Sequence, residues 1–391
     1  MHTKNDLMVM KIYSPTAVNA FILEKQMLAN RKASSLEEAV KDLLVIDSGS
    51  LPNTCYSLSL RVKNFNPAAF QQSLSGGRLA RVRGLKGNLQ VMHTDLMPAV
   101  FAASAESREA RAKSLLQGWG IGEDEYRRTS AAIIEALGTK EKTLPQLKNG
   151  LKPGVSRDLV KTKGKKKERS TNVAVVATAM WERWELLRGG TGRAPCEDPG
   201  RYSLFSRRFG RMKLDMDRKE AVRKLAGQYV AAYGPVSVDD IAWWLGISVK
   251  EAQATLDRKA LEQVEIEGCA GEYFTAAGQD IGDKEPGTAI AILAADDPYV
   301  KAYARRERFV PGLYLDRMIT RFGESVSTAV IGGAVTGIWH IDREMEGDLV
   351  DVELFGPVAE GLDPVVECAA EAAGRFFTGD HVPVRISIYK K

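Results

Sequence analysis

No apolar run in this chain of 391 residues approaches the roughly 18 residues that a membrane-crossing helix needs. The stretch MHTKNDLMVMKIYSP lacks the long apolar core and small-residue cleavage site of a secretory leader. Cysteine is scarce: Cys55, Cys196, Cys269 and Cys368 stand far apart, with no Cys-x-x-Cys pair. That spacing argues against a disulfide framework and against a zinc site. Histidine is as scarce, and His2, His93, His340 and His381 do not cluster. No metal and no cofactor is therefore expected. A strong excess of one charge is also missing, the formal net charge being +5. With 44% apolar and 27% charged residues, the composition is that of a globular protein, and these absences together predict a cytoplasmic one.

What the chain has is an uneven spread of charge. Lys161 to Arg169, KTKGKKKER, holds six bases and one acid. Arg201 to Lys224 adds nine bases against Asp215, Asp217 and Glu220. Asp342 to Asp380 runs the other way, with eleven acids and only Arg343 and Arg375. A basic middle and an acidic later region predict a polyanionic partner gripped by the middle. Gly164 and the lack of apolar residues make the lysine-rich stretch read as a mobile loop, ordered on its partner.

Periodicity organises the chain. Ser35 and Glu38 read as a capping box, followed by Leu36, Ala39, Val40, Leu43 and Leu44 at helical spacing, with the helix ending near Ile46. Short helices are expected after Pro52 and from Pro67 to Gly76, then two extended runs, Leu79 to Arg83 and Asn88 to Met92. A second set runs from the helix Glu123 to Leu137 through Asn172 to Arg183, with WELLRGG and GRYSLFSRRF pairing as strands. The third set is the clearest: a helix from Glu220 to Tyr233, Ser237 capping Val238 to Leu245, a tight turn at Gly246, Ser248 capping a helix through Lys259, and a hairpin across Cys269. Helix, glycine turn, helix and hairpin is what a winged helix-turn-helix requires. Beyond Asp283 the runs TAIAILAA, STAVIGGAVTGIWHI, DLVDVELFG and VPVRISIY are strand-like. The predicted fold is α+β: winged helices at 1–117, 118–215 and 216–282, and a mostly-β, barrel-like module at 283–391.

The segments LVIDSGSLPNTCYSLSLRV, LARVRGLKGNLQVM, GPVSVDDIAWWLGISVKEAQATL, ILAADDPYVKAYARRERFVP and AVTGIWHI, in this order, resemble the bacterial winged-helix DNA-binding family that includes the AlkZ-type crosslink-repair DNA glycosylases. The resemblance covers nearly the whole chain. It implies three winged helices and a β-barrel. It also implies a Gln-x-Gln or Gln-x-Asp motif before a proline, whose polar side chains hold a water against the sugar of an alkylated nucleotide. Those positions are read here as Ser48 and Ser50, with Asp47 one position away. The family's Arg-Gly-Thr-Leu-His becomes Lys86-Gly87-Asn88-Leu89-Gln90. If the chain is active, Ser48, Ser50, Asp47 and Gln90 are the expected catalytic residues. Lys86, Asn88, Lys161, Lys163, Lys165, Lys166, Lys167, Arg169, Arg207, Arg208, Arg211, Arg305 and Arg306 are the expected DNA contacts, because cations at reachable positions supply most of the affinity for phosphate. The expected partner is double-stranded DNA, alkylated or crosslinked, bound by structure or lesion in the nucleoid with the glutamine motif replaced by Ser-Gly-Ser. An active alkylpurine glycosylase and a winged-helix transcription regulator are the alternatives.

Overall fold

The helix capped by Ser35 is shorter than its apolar spacing predicts. Ser35 accepts the Glu38 amide, and the Glu38 carboxylate reaches back to the amide and hydroxyl of Ser34. The helix Leu36–Leu43 then stops because Leu44 takes φ 61°, a conformation helical residues do not adopt. The next residues, Val45–Asp47, form a strand and not the end of the helix. β-Branched Val45 and Ile46 pair with Met92 and Val91, and this register sets Asp47 opposite Gln90.

The computed structural model describes residues 10–164, 166–189, 196–198, 200–283, 287–321, 323–344 and 347–389. The chain is α+β and its contacts group into two units: Met1–Leu44 with Tyr56–Phe65 and Arg223–Lys391, and Val45–Cys55 with Asn66–Val222.

In the second of these units Val45–Asp47, Leu89–His93 and Leu79–Arg83 form an antiparallel sheet in that order. A tight turn, Leu85–Gly87, joins its two long strands. A second sheet pairs Lys142–Thr143, Arg201–Leu204 and Leu186–Gly189, so the strands expected in WELLRGG and GRYSL are present. Between the sheets runs the helix Asn172–Glu182, capped by Thr171. Val173, Val175, Val176, Ala177, Ala179 and Met180 surround its axis, and a helix apolar on all sides must be buried on all sides. It packs with Ala112 and Leu116 of helix Ala105–Gly118 and with Ile133 and Leu137 of helix Glu123–Leu137.

The lysine-rich stretch is not a loop. Asp158–Lys163 and Lys166–Thr171 pair as a regular hairpin from Asp158↔Thr171 to Lys163↔Lys166. Leu159 is buried at its base, an apolar anchor that lies just outside the basic run and that the run's composition does not show. Lys165 lies outside the described residues.

The other unit carries the clearest helix pattern. Ser237 and Asp240 form a capping box on helix Val238–Leu245, which ends at left-handed Gly246 with φ 70°. The next helix, Val249–Thr255, stops short of the expected Lys259. The hairpin Leu261–Ile266 and Tyr273–Ala276 follows, with Lys11–Tyr13 added in parallel along one edge. The later residues form an open five-stranded sheet rather than a barrel. Helix Asp363–Thr378 covers it, its Val366, Ala370 and Ala373 packing with Val350, Val352 and Leu354. Gly374 has no room for a side chain, since a Cβ there would run into Val350.

The spacing argued against a disulfide framework, yet one pair is joined: Cys55 and Cys196 form a disulfide with Cα atoms 6.2 Å apart. Their separation of 141 residues hides the pairing from any local spacing rule. Among the described residues, no helix is long and apolar enough to cross a membrane.

Candidate active site and nucleic-acid interface

Alternation along a strand decides which residues can meet. Asp47 and Gln90 face each other across the Val45–Asp47 and Leu89–His93 pair. Gln90 Nε2 donates to Asp47 Oδ1 at 3.0 Å, and Asn88 Nδ2 donates to Asp47 Oδ2 at 2.8 Å. The other end of the Gln90 amide is fixed, its Oε1 accepting the Leu85 amide at 2.9 Å. Gln90 is buried, and Asp47 and Asn88 are half-buried. The carboxylate is therefore held at both oxygens by amides whose own positions are set by the strand and the turn.

Glycine makes this geometry possible at two positions. A Cβ on Gly84 would strike Gln90 Oε1. Gly87, at φ 78°, occupies the left-handed region, and a Cβ there would strike the Arg111 guanidinium. Lys86, at φ 56°, shares this tight turn and is half-buried.

Ser48 and Ser50 do something different. Ser48 is fully buried, its amide donating to Leu89 O at 2.7 Å. Arg81 donates from Nε to Ser48 Oγ at 3.1 Å and from Nη2 to Ser48 O at 2.9 Å. The hydroxyl expected to hold a water is thus enclosed and bonded to a guanidinium. Ser50 is exposed and serves the start of helix Leu51–Ser59, where its carbonyl accepts the Thr54 amide at 3.1 Å and its hydroxyl lies 3.4 Å from the Asn53 amide. The Ser-Gly-Ser turn is a helix start braced from below, and Asp47 is the polar residue of this stretch held beside Gln90.

Arg81 continues to Asp198, Nη1 to Oδ2 at 2.8 Å. Burial alone would raise the Asp198 carboxyl; the Arg81 bond and charge, the Gly200 amide and Arg188 outweigh it and hold the group below its usual range. The arginine itself is depressed by burial. Arg81, Arg83, Arg188 and Asp198 went unnoticed in the sequence. The readable signal was two arginines, Arg81 and Arg83, in a strand whose remaining members, Leu79, Ala80 and Val82, are buried apolar residues.

The expected DNA contacts divide. Lys166, Lys167 and Arg169 are exposed on the hairpin, and Lys161 lies 5.7 Å from the Trp119 ring. Lys163 belongs to the same strand. Arg207 and Arg211 are exposed, whereas Arg208 is tied to Glu141 Oε1 at 3.1 Å and Leu74 O at 3.3 Å. In the other unit Arg305 pairs with Asp239 at 3.1 Å and stays partly exposed. Arg306 is buried, donates to Val300 O and Ala304 O, and lies over Trp243. Its burial and its bonds to carbonyls through Nε and Nη1 fit a structural role, with Nη2 unmet among the described residues.

A DNA-glycosylase family accounts for this chain as a whole: the profile described as DNA glycosylase AlkZ-like matches residues 40–376, and the chain belongs to that family. Among particular relatives, an interstrand DNA cross-link repair glycosylase of Streptomyces sahachiroi is 25% identical over 152 residues. The match takes in 37% of this chain and spans 40% of that curated relative's length. The solved structure of Streptomyces sahachiroi DNA glycosylase AlkZ superposes with a TM-score of 0.71 at 18% identity, covering 96% of this chain and 100% of the other. At that identity the likeness is one of fold.

Proposed function

We propose that this protein is a duplex-DNA glycosylase for alkylated or crosslinked purines, with Asp47 as the carboxylate that positions the attacking water. The observation that carries this is the two-point fixation of Asp47 by Asn88 and Gln90. A motif of two polar residues separated by one needs both on one side of the chain, and a strand provides that at Val45 and Asp47. Asp47 then stands in the second place of a Gln-x-Asp pattern, and Val45 replaces the first glutamine. Gln90 supplies an amide from the neighbouring strand instead.

The step balances simply. The water oxygen bonds to the anomeric carbon of the sugar and its proton passes to the Asp47 carboxylate. The bond from that carbon to the base nitrogen breaks, and its electron pair neutralises the cationic alkylated base. Because the base leaves as a neutral molecule, little acid assistance is needed. The enzyme's share is orientation and a negative charge beside an oxocarbenium-like sugar.

The exposed cations of the hairpin, with Arg207 and Arg211, fit contacts to the phosphate backbone, and Arg305 is a further candidate. The helix, turn, helix and hairpin order at 216–282 fits a winged-helix unit. The same reading extends to 1–117 and 118–215, with 283–391 as the β module. A cytoplasmic, nucleoid-associated setting follows from the substrate. A second reading, lesion binding without hydrolysis, is favoured by the apolar Val45, which can hold no water.

The test is abasic-site formation on a duplex carrying N7-methylguanine, scored by alkaline strand cleavage under single-turnover conditions. Asp47→Asn should lower the rate by about 100-fold or more, the scale of losing one preorganised electrostatic group. Ser50→Ala should stay within about 3-fold, since it touches only a helix start. A wild-type protein that binds the duplex and leaves it intact selects the second reading. An active Asp47→Asn variant removes Asp47 from the mechanism.

A further inference from the structure

Next to the Leu85–Gly87 turn, which also reaches Asp47 through Asn88, lies a cluster in which arginines outnumber acids among the described residues. Asn88 reaches Asp47 from that turn, while the carbonyl of adjacent Gly87 accepts Arg83 Nη1 at 3.1 Å. Arg83 stacks on the Trp181 indole at 4.5 Å, and Arg188, from the neighbouring sheet, approaches the same ring at 5.3 Å. Glu182 sits 3.2 Å from Arg83 Nε and 3.1 Å from Arg111 Nε. Asp198 is 2.8 Å from Arg81 and 3.7 Å from Arg188. Four guanidiniums thus share two carboxylates.

The hydrogen bonding is equally incomplete. Among the described residues, Arg83 Nε, Arg111 Nη2, Arg188 Nε and Trp181 Nε1 are buried donors with no acceptor in hydrogen-bond geometry. A buried unmet donor is costly, and folded proteins carry few of them. Here four converge on one spot. Burial depresses the Arg83 guanidinium; Glu182 opposes this, and the charges of Arg111 and Arg188 add to it. The side chains of Arg83 and Arg188 are 28% and 36% exposed, so an ion from solvent can reach them. Arg188 also lines a small cleft together with Arg81, Arg208, Leu51 and Leu187.

We infer that Arg83 and Arg188, both braced against the Trp181 ring, form a subsite for one internucleotide phosphate of the strand whose nucleotide is presented to Asp47. An oxyanion would supply the missing negative charge and acceptors. Guanidinium forks suit the several oxygens of a phosphodiester better than a single carbonyl. This inference rests on the DNA-glycosylase reading; Arg83 lies within the segment LARVRGLKGNLQVM, and Arg188 lies outside every segment that carries the resemblance. Arg188 makes the sharper test, because its side chain forms no hydrogen bond among the described residues.

The experiment uses the full chain and a duplex containing one tetrahydrofuran abasic analogue, with fluorescence anisotropy at 50, 100 and 200 mM KCl. A set of otherwise identical duplexes carries a single neutral methylphosphonate at each phosphate flanking the analogue. Wild type should lose about 5- to 20-fold in affinity at one methylphosphonate position. Arg188→Gln should lose a similar factor on the unmodified duplex, reduce the salt slope by about 1 and become indifferent to that position. Arg188→Lys should restore the salt slope. Equal sensitivity of wild type and Arg188→Gln at every position, with unchanged slope, overturns the subsite and marks the cluster as structural. Far-UV circular dichroism and thermal melting of each variant separate this from misfolding. Asp47→Asn keeps the subsite, so phosphate coupling that survives in it while hydrolysis fails tells the two proposals apart. Absence of duplex binding by wild type overturns both.

Discussion

Arg61 in one unit and Arg188 in the other both place guanidinium nitrogens out of reach of water, Arg61 wholly and Arg188 in part, and their partners differ. Arg61 is fully buried with Asp297. Nη2 meets Oδ1 at 2.7 Å and Nη1 meets Oδ2 at 2.8 Å; Nη1 also meets Ser57 O and Oγ at 2.9 Å, and Nε meets Gln26 O at 3.1 Å. Ser57 Oγ closes the ring on Asp297 at 2.7 Å. The charge is neutralised and each guanidinium nitrogen has an acceptor. Arg188 has a shared acid at 3.7 Å, an aromatic face and an unmet Nε. A low-dielectric site rewards completeness and penalises omission. A finished network therefore fits a structural role, while an unfinished and partly open one fits a site awaiting an ion.

The comparison breaks most visibly in stability. Arg61→Ala should destabilise the protein by about 3–5 kcal/mol, because Asp297 is left as an uncompensated buried charge. Arg188→Ala should cost about 1 kcal/mol or less, since it removes like-charge repulsion along with packing on Trp181. Urea unfolding followed by tryptophan fluorescence measures both. Equal losses would mean that Arg188 is as structural as Arg61, and the argument from incomplete pairing would fall.

Local signals of the fold were legible and contacts between distant segments were not. Ser237 with Asp240, Gly246 and Ser248 sit where their sequence pattern puts them, because capping and left-handed turns are decided within about four residues. Glu123–Leu137 matches its expected span for the same reason. The stretch after Leu43 misled, because Leu44, Val45 and Ile46 continue an apolar helical spacing while strand pairing with Val91 and Met92 decides their conformation. That error carried into the site. Read as a helix ending in a turn, the segment pushes attention to Ser48 and Ser50; read as a strand, it sets Asp47 opposite Gln90. Arg81 with Asp198 and Cys55 with Cys196 join residues more than 100 positions apart, which no spacing rule reaches. The basic run was visible as charge, but its hairpin depends on cross-strand register and on Leu159.

That hairpin presents a third arrangement, cations in open water, and its effects should be on binding alone. Partners across the ladder share a face, so Arg169 with Val160 and Lys167 with Thr162 lie on one side. Lys161 with Glu168, and Lys166, lie on the other. On the first face the acid is Asp158, at the base opposite Thr171, and Val160 is 61% exposed there. Replacing Lys167 and Arg169 by Gln should reduce the salt slope of duplex binding by about 2 and leave the urea midpoint unchanged. Lys166→Gln, on the face that holds Glu168, should change the slope by less than about 1. The reverse ranking would turn the hairpin around on the DNA, and no change in either would remove it from the interface.

Lys25 gives the smallest and most specific contrast, a half-buried cation whose contacts among the described residues include no carboxylate. Its Nζ donates to Ala231 O at 2.6 Å and Gln279 Oε1 at 3.4 Å and lies 5.0 Å from the Phe21 ring. Burial lowers its pKa from 10.5 to about 8. Below pH 8 the lysine is charged in both folded and unfolded chains, and folding bears the cost of burying it. Between pH 8 and 10.5 the unfolded chain binds the extra proton, so stability rises with pH across that window. Lys25→Met removes the titration and retains the stem. The difference in unfolding free energy between wild type and Lys25→Met should therefore move in favour of wild type from pH 7.5 to about pH 9.5, by a fraction of the shift because water reaches part of the site. A difference that stays flat over this interval would show that Lys25 keeps its proton in the fold, and that an unanswered cation here is relieved by solvent, as the hairpin lysines are.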